Sequence, residues 1–310
     1  MPYHYNAYGL LIESTIELPA FVPAVTDLSM PAINIICGSV PPTLKDLPTE
    51  HNEYLSFNDH EFKFEMPAIA RYYICNGELI IIEPLSNNWR EILLYFYSNC
   101  MASVLFQRNL IPFHVSGVFI NDTKVLLFAA PSQTGKSTTS ILLQQKGYAP
   151  FTDDTAVINV ENEKCYAQAS YPMIRVWQNT INNQTLLPET EKEYLWSDNE
   201  VDKFSYFFHE KFISKKVEIA GIVFLEKLGE QIQIESLKPT QSIQFLGQNI
   251  YRGLWLRAMN KGKLQFEVLS KIANKIPAYR AIRPENTPSF DVFAEAIENQ
   301  IIKKILSEKL

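Results

Sequence analysis

The sequence predicts an α/β chain, α+β overall, in which a small β-rich N-terminal domain precedes a larger α/β domain. Three patterns predict this fold class. Short apolar runs alternate with turn residues in the first third of the chain, apolar residues recur at helical spacing between 89 and 108, and a strand, a loop and a helix follow one another from 125 to 146. We therefore expect domains at 1–86 and 111–310, joined by a linking helix at 87–110.

The N-terminal domain is predicted from five strand-like runs and one hairpin turn. The runs are residues 8–12, 33–36, 62–64, 70–74 and 78–82. Asn76-Gly77, between the last two runs, is the dipeptide typical of a two-residue hairpin.

The linking helix is predicted to follow Pro84. Polar residues 86–88 offer a cap, and apolar residues then recur every three or four positions up to Arg108. A packed helix is favoured over a membrane segment because the run is short and contains Asn99.

The next block combines two strands with a glycine-containing loop and a helix. Residues 115–120 and 125–129 are predicted strands, and 138–146 is a predicted helix. Between them, residues 130–137 read A-P-S-Q-T-G-K-S, close to the P-loop pattern G-x-x-x-x-G-K-[ST]. Ala130 stands where the pattern has its first glycine.

A phosphate site of this kind needs backbone N–H groups at a helix N-terminus, a glycine, a lysine and a hydroxyl that ligates Mg²⁺. Gly135, Lys136 and Ser137 supply the last three. The alternative is an ordinary turn with a solvated lysine. The residues predicted to bind the nucleotide are Pro131, Ser132, Gln133, Thr134, Gly135, Lys136, Ser137 and Thr138.

Two adjacent carboxylates, Asp153 and Asp154, follow this block and precede a strand-like run at 155–160. Neighbouring carboxylates repel each other, and a Mg²⁺ ion together with a substrate proton would explain the pair. One carboxylate can then hold metal while the other acts as a base. The alternative is a pair of exposed turn aspartates.

The rest of the chain is predicted from composition and periodicity. The polar stretch 186–216 is either a lid over a site or a solvated connection. Residues 217–225 and 232–236 are predicted to be paired strands, 239–246 to open a helix, and 288–310 to form an amphipathic helix.

The bulk composition limits the functional classes. The 310 residues are 46% hydrophobic, and the net charge of −6 disfavours nucleic-acid binding. The four scattered cysteines are expected to be reduced. Neither a membrane span nor a signal segment is found, so we predict a cytoplasmic protein with no nucleic-acid or membrane partner. A homo-oligomer is left open.

Three segments carry a resemblance to a known family: residues 111–120, I-P-F-H-V-S-G-V-F-I, residues 131–138, and Thr152-Asp153-Asp154. They look like the histidine-containing strand, the S-G-x-G-K-S loop and the A-D-D motif, respectively, of the HPr kinase/phosphorylase family and its HprK-like serine kinases. ATP-dependent phosphoenolpyruvate carboxykinase is a more distant relative of that family. The order and approximate spacing of the three segments agree, and weaker similarity covers most of the chain.

This resemblance implies a phosphoenolpyruvate carboxykinase/HPr kinase-like core that uses ATP and Mg²⁺. The acceptor would be a hydroxyl, such as serine, on a peptide, a protein or a small molecule. Lys136 would bind phosphate, Ser137 and Asp153 would ligate Mg²⁺, Asp154 would act as general base, and His114 would assist near the phosphates. For His114 alone, the alternative is a buried strand histidine.

Other basic residues are more ambiguous. Arg175, in the run Y-P-M-I-R-V-W, either contacts phosphate or stacks on Trp177. Arg252 and Arg280 are candidates only because they are cationic and lie downstream. The family's glutamate segment and later arginine loop have no clear match, so phosphorylase activity is not expected. A non-catalytic nucleotide-binding module is the competing function.

Overall fold

The structure is a computed structural model that describes residues 1–24, 32–177, 192–194, 203–209, 212–285 and 289–307. The strands of these residues are β1 (Tyr3–Ala7), β2 (Leu10–Ser14), β3 (Val22–Pro23), β4 (Ala32–Cys37), β5 (Glu50–His51), β6 (Leu55–Phe57), β7 (Glu61–Met66), β8 (Ala70–Cys75), β9 (Leu79–Pro84), β10 (Pro112–Phe113), β11 (Val115–Asn121), β12 (Lys124–Ala129), β13 (Pro150–Thr152), β14 (Ala156–Glu161), β15 (Lys164–Ala169), β16 (Met173–Trp177), β17 (Lys192–Tyr194), β18 (Lys203–Phe207), β19 (Val217–Lys227), β20 (Gln233–Ser236) and β21 (Ala278–Arg283).

The helices of the same residues are α1 (Trp89–Tyr95), α2 (Met101–Gln107), α3 (Lys136–Gln145), α4 (Pro239–Gln248), α5 (Gly253–Ala258), α6 (Gly262–Lys275), α7 (Phe290–Ile297) and α8 (Lys303–Ser307). Two π-helical turns, Phe96–Cys100 and Glu298–Ile302, connect α1 to α2 and α7 to α8. The fold is therefore mixed α/β, as predicted. None of these helices is long and apolar enough to cross a membrane.

The chain forms two compact units, residues 1–112 with 251–267, and residues 113–250 with 268–310. The first unit is built on one sheet with the strand order β3-β1-β2-β4-β9-β8-β7-β6-β5. Most neighbours are antiparallel, whereas β4 pairs in parallel with both β2 and β9. The predicted run 8–12 is interrupted because Tyr8 and Gly9, both with positive φ, form the turn between β1 and β2.

The hairpin predicted at Asn76-Gly77 is confirmed. Both residues have positive φ, 55° and 64°, as a type I′ turn requires. The amide of Glu78 donates to the carbonyl of Cys75 across the turn at 3.0 Å.

Residues 89–107 of the predicted linking helix form a helical run with one π-helical turn inside it, and the run belongs to the first unit. The Asn88 side chain caps its first turn by accepting from the amide of Glu91. Its buried face includes Ile92, Phe96 and Leu105. The four cysteines of the chain are free thiols, as expected.

The second unit is organised around a mixed sheet that contains the order β14-β15-β19-β12-β11-β13. Strand β12 is parallel to β19, which is in turn parallel to β21. Strand β11 is antiparallel to both of its neighbours, β12 and β13. Consequently β13, β12, β19 and β21 all run in one direction and end at one edge of the sheet.

The predicted pairing of residues 217–225 with 232–236 is wrong. Both segments are strands, but β21 lies between them, parallel to β19 and antiparallel to β20. The reason is that β19 is apolar and buried over most of its length, which suits a strand with parallel neighbours on both sides.

The core of the second unit joins the sheet to α3 and to the C-terminal helical run. That run is the amphipathic helix predicted at 288–310, within the described residues. The cluster includes Val118, Leu126, Phe128, Leu143, Val223, Phe293, Ile297 and Ile301. A separate three-stranded sheet, β16-β18-β17, takes in part of the polar stretch 186–216. The remainder of that stretch, predicted to be either a lid or a solvated connection, lies largely outside the described residues.

Candidate functional site

The glycine-containing loop connects the end of β12 to the start of α3. The helix begins at Lys136, two residues before the predicted start, and Gly135 is its N-cap with φ 114°. A side chain at this position would be strained, and its Cβ would lie 2.5 Å from Cε1 of Phe290. Gln133 also has positive φ, 66°. The loop therefore has a sharply turned backbone that requires glycine at 135.

Lys136 lies inside this loop rather than in solvent. Its residue is only 7% exposed, and its Nζ donates to the carbonyls of Ala130 at 2.6 Å and Pro131 at 3.5 Å. These contacts join the two ends of the loop, so the alternative of a solvated lysine is wrong. Ser137 and Thr138, in the first turn of α3, are half-buried, whereas residues 131–133 are exposed.

The aspartate pair is buried directly after β13. Asp153 is 4% and Asp154 6% exposed, so the alternative of exposed turn aspartates is also wrong. The Tyr171 hydroxyl donates to Oδ2 of Asp154 at 3.3 Å. Burial of two adjacent carboxylates is costly unless hydrogen bonds or neighbouring charges compensate for it.

His114 lies beside Asp154. Its Nδ1 is 2.9 Å from the Asp154 carbonyl oxygen and 3.9 Å from Oδ1 of the same residue. Because a carbonyl oxygen only accepts, Nδ1 carries the proton in this hydrogen bond. The side chain is 31% exposed, so His114 is not the fully buried strand histidine considered as its alternative.

Strand pairing brings these groups to the same edge of the sheet. Val115, at the start of β11, pairs with Ala129, the last residue of β12, and Gly117 pairs with Thr152, the last residue of β13. The loop and the aspartate pair therefore emerge on either side of β11, and His114 immediately precedes that strand. The carboxyl ends of parallel strands are a common location for ligand sites in α/β sheets.

The other predicted arginines are elsewhere. The backbone of Arg175 lies in β16 and pairs with Ser205, and its side chain is outside the described part of the chain. Arg280 forms ion pairs with Glu226 at 2.5 Å and Glu235 at 3.1 Å. Arg252 belongs to the first unit, where it donates to Asn99 at 2.8 Å.

Sequence reasoning missed Arg283 and Phe290. Arg283 is 5% exposed, and its Nε and Nη2 donate to the carbonyl of Thr134, inside the loop, at 3.3 and 3.2 Å. Its guanidinium lies 4.1 Å from the centre of the Phe290 ring. The sequence around Arg283 carries no motif that would have found it, because its proximity to the loop depends on the pairing of β21 with β19.

The chemistry of these side chains is compatible with phosphate and Mg²⁺. The loop presents backbone at a helix N-terminus beside a buried lysine, which suits phosphate. The hydroxyl of Ser137 and the carboxylate of Asp153 are the oxygen ligands that Mg²⁺ prefers.

Comparisons with known proteins do not assign a family. No family model matches the chain, and no curated protein matches it in sequence. Among solved structures, the HPr(Ser) kinase/phosphatase from Coxiella burnetii matches at 11% identity over 62% of this chain and 97% of that chain, with a TM-score of 0.30.

Proposed function

We propose that this protein is an ATP-dependent kinase that transfers the γ-phosphoryl group to a hydroxyl, most simply a serine, of a peptide, a protein or a small molecule. One observation carries the proposal. The loop that holds Lys136 follows β12, and the buried Asp154 lies just after β13. These two strands flank β11, and His114 immediately precedes β11.

Residues 131–138 are assigned to the triphosphate. Backbone N–H groups at the start of α3 donate to phosphate oxygens, and the positive end of the helix dipole favours their charge. Lys136 now donates to loop carbonyls, and it can exchange them for phosphate oxygens without leaving the loop. Ser137 and Asp153 are assigned to Mg²⁺, which supplies neutralisation of phosphate charge when it is bound.

Asp154 is assigned to the acceptor. Its carboxylate takes the hydroxyl proton as the acceptor oxygen bonds to the γ-phosphorus and the bond from that phosphorus to the ADP oxygen breaks. Tyr171 and His114 hold Asp154 by side-chain and backbone contacts, respectively. Phosphoryl transfer depends mainly on positioning and charge stabilisation, so a fixed carboxylate is sufficient as the base.

The test is phosphoryl transfer from γ-labelled ATP to free serine, serine peptides and candidate proteins, by wild type and by Asp154→Asn. We expect the substitution to lower kcat by about 10²- to 10⁴-fold while ATP affinity stays within a few-fold, because only the base is removed. The matched control is Asp122→Asn, which changes an exposed aspartate of the same unit.

Transfer by Asp154→Asn at the wild-type rate would rule out this residue as the base. ATP binding by wild type without transfer to any acceptor would instead support a non-catalytic nucleotide-binding module.

A further inference from the structure

Arg283 occupies the sheet edge where the loop and the aspartate pair emerge. It is the last residue of β21 and pairs with Lys227, the last residue of β19. Because β12, β19 and β21 are parallel, the end of β21 faces the same side as the loop after β12. A strand with no motif of its own thus brings a cation to the candidate phosphate site.

The partners of this cation are unusual for a buried arginine. Its acceptors among the described residues are the carbonyls of Thr134 and Pro284 rather than a carboxylate. Burial is costly for a charge that carbonyl groups and an aromatic face only partly compensate. The same burial lowers the pKa of Arg283, although guanidinium remains charged at neutral pH. Arg283 is thus buried at a cost and spends two of its donors on the loop.

The contact with Thr134 orients the peptide group between Thr134 and Gly135. In a planar trans peptide the C=O and the following N–H point in opposite directions. Since Arg283 holds the Thr134 carbonyl through two donors, the N–H of Gly135 must point away from Arg283. This N–H directly precedes Lys136 and is among the loop donors assigned to phosphate.

Phe290, the first residue of α7, packs against both Arg283 and Gly135. Its ring lies against the guanidinium, and it comes so close to Gly135 that a Cβ there would clash with it. The ring therefore restricts the rotation of Arg283 and also limits the movement of the loop glycine.

We propose that Arg283 is a positioning residue of the phosphate-binding loop, which it holds through the Thr134 carbonyl with Phe290 packed on its guanidinium. The inference rests on the proposed function. In this role Arg283 orients the N–H of Gly135. The orientation of that N–H in turn affects how tightly the loop binds the β- and γ-phosphates of ATP.

The test compares Arg283→Gln and Arg283→Lys with wild type, using a fluorescent ATP analogue for binding and γ-labelled ATP for transfer. We expect Arg283→Gln to weaken ATP binding and raise the KM for ATP by about tenfold or more, because both charged donors to the Thr134 carbonyl are lost. Affinity for AMP, which lacks the β- and γ-phosphates, should change much less. Arg283→Lys should recover part of the loss, since an ammonium keeps the charge and one donor.

The matched control is Arg280→Gln, because Arg280 lies on the same strand and forms ion pairs with Glu226 and Glu235. This variant should leave the affinity for ATP unchanged. Unfolding temperature and circular dichroism report folding separately. If Arg283→Gln does not fold, Arg283→Lys should show a smaller loss of ATP affinity in the same direction, and Phe290→Leu tests the packing on the guanidinium.

The outcomes separate the two proposals. Unchanged ATP affinity in folded Arg283 variants, or an equal loss for AMP, overturns the positioning role and leaves the kinase proposal standing. Wild type that binds ATP but transfers nothing overturns the kinase proposal alone, while the binding comparison still decides the role of Arg283. Wild type that binds no ATP overturns both.

Discussion

Glu61 is a buried carboxylate whose charge is satisfied by the first unit itself. Its residue is 1% exposed. The Tyr73 hydroxyl donates to Oε1 at 2.5 Å, and the backbone amides of Lys45 and Asp46 donate at 3.1 and 3.0 Å. Burial opposes ionisation, but these hydrogen bonds outweigh it and lower the pKa of Glu61 to about 2. Glu61 therefore links the segment before β5 to strand β7.

Acid should destabilise the protein through this residue. A carboxyl with a folded pKa below its unfolded value stabilises the fold at pH above the unfolded pKa and loses that contribution as pH falls toward the folded pKa. For Glu61 the loss occurs between about pH 4.5 and pH 2 and amounts to about 3 kcal/mol. Urea unfolding of wild type and Glu61→Gln at pH 6, 4 and 3 measures it.

We expect Glu61→Gln to be less stable at pH 6 and to lose less stability than wild type on acidification. Glu50→Gln, which changes an exposed glutamate of the same unit, should follow the wild-type pH dependence. A variant at Glu61 that follows the wild-type curve would contradict the assignment.

Single residues also show how far the sequence could define the candidate site. Gly135, Lys136 and the aspartate pair were recognised because their chemistry depends on short spacings within the chain. Arg283 was not, because it lies far from the loop in sequence and nothing local distinguishes it from Arg280, which forms surface ion pairs.

At the scale of elements, the β8–β9 hairpin requires glycine at position 77 both for its turn and for its contact with α2. Gly77 has φ 64°, and the end of α2 holds its backbone. Gln107 accepts from its amide at 2.6 Å, and Arg108 donates to its carbonyl at 2.6 Å. A Cβ at Gly77 would lie 2.7 Å from Cγ of Arg108 and 3.2 Å from the Val104 carbonyl oxygen.

We expect Gly77→Ala to lower the free energy of unfolding by about 1–3 kcal/mol, because both the positive φ and the clash are unfavourable for alanine. Gly229→Ala is the matched control, since Gly229 has φ 76° but nothing within 4 Å of its added Cβ. Its loss should be smaller, and denaturant unfolding measures both. Equal losses would show that contact with α2 contributes nothing.

Elements also explain the one pairing error. Residues 217–225 and 232–236 were recognised as strands from their apolar runs, which is local information. Their partners are decided by β21, which enters the sheet from much later in the chain. A short connection favours a hairpin, but the buried β19 gains more from a second parallel neighbour.

At the scale of the whole molecule, nucleotide binding should raise the free energy of unfolding. A ligand that binds only the folded state stabilises it by about 2.7 kcal/mol at one hundred times its Kd, which raises the unfolding temperature of a chain of 310 residues by about 4 °C. We expect this shift for wild type with ATP and Mg²⁺, and its loss in Lys136→Ala, which removes the buried ammonium of the loop. Differential scanning fluorimetry measures it.

AMP serves as the control ligand, because it lacks the β- and γ-phosphates that the loop is assigned to bind. An equal shift for ATP in wild type and Lys136→Ala would place the nucleotide away from the loop.

The sequence by itself determined the local elements: the hairpin turn at Asn76-Gly77, the helical run after Asn88, and the strand, loop and helix around Gly135. Turn chemistry and periodicity act over a few residues, so they can be recognised without the rest of the chain. Only the tertiary structure decided that His114, Asp154 and Arg283 share a sheet edge with that loop. Strand direction and register come from pairing between distant segments, and burial of the shared core selects that pairing.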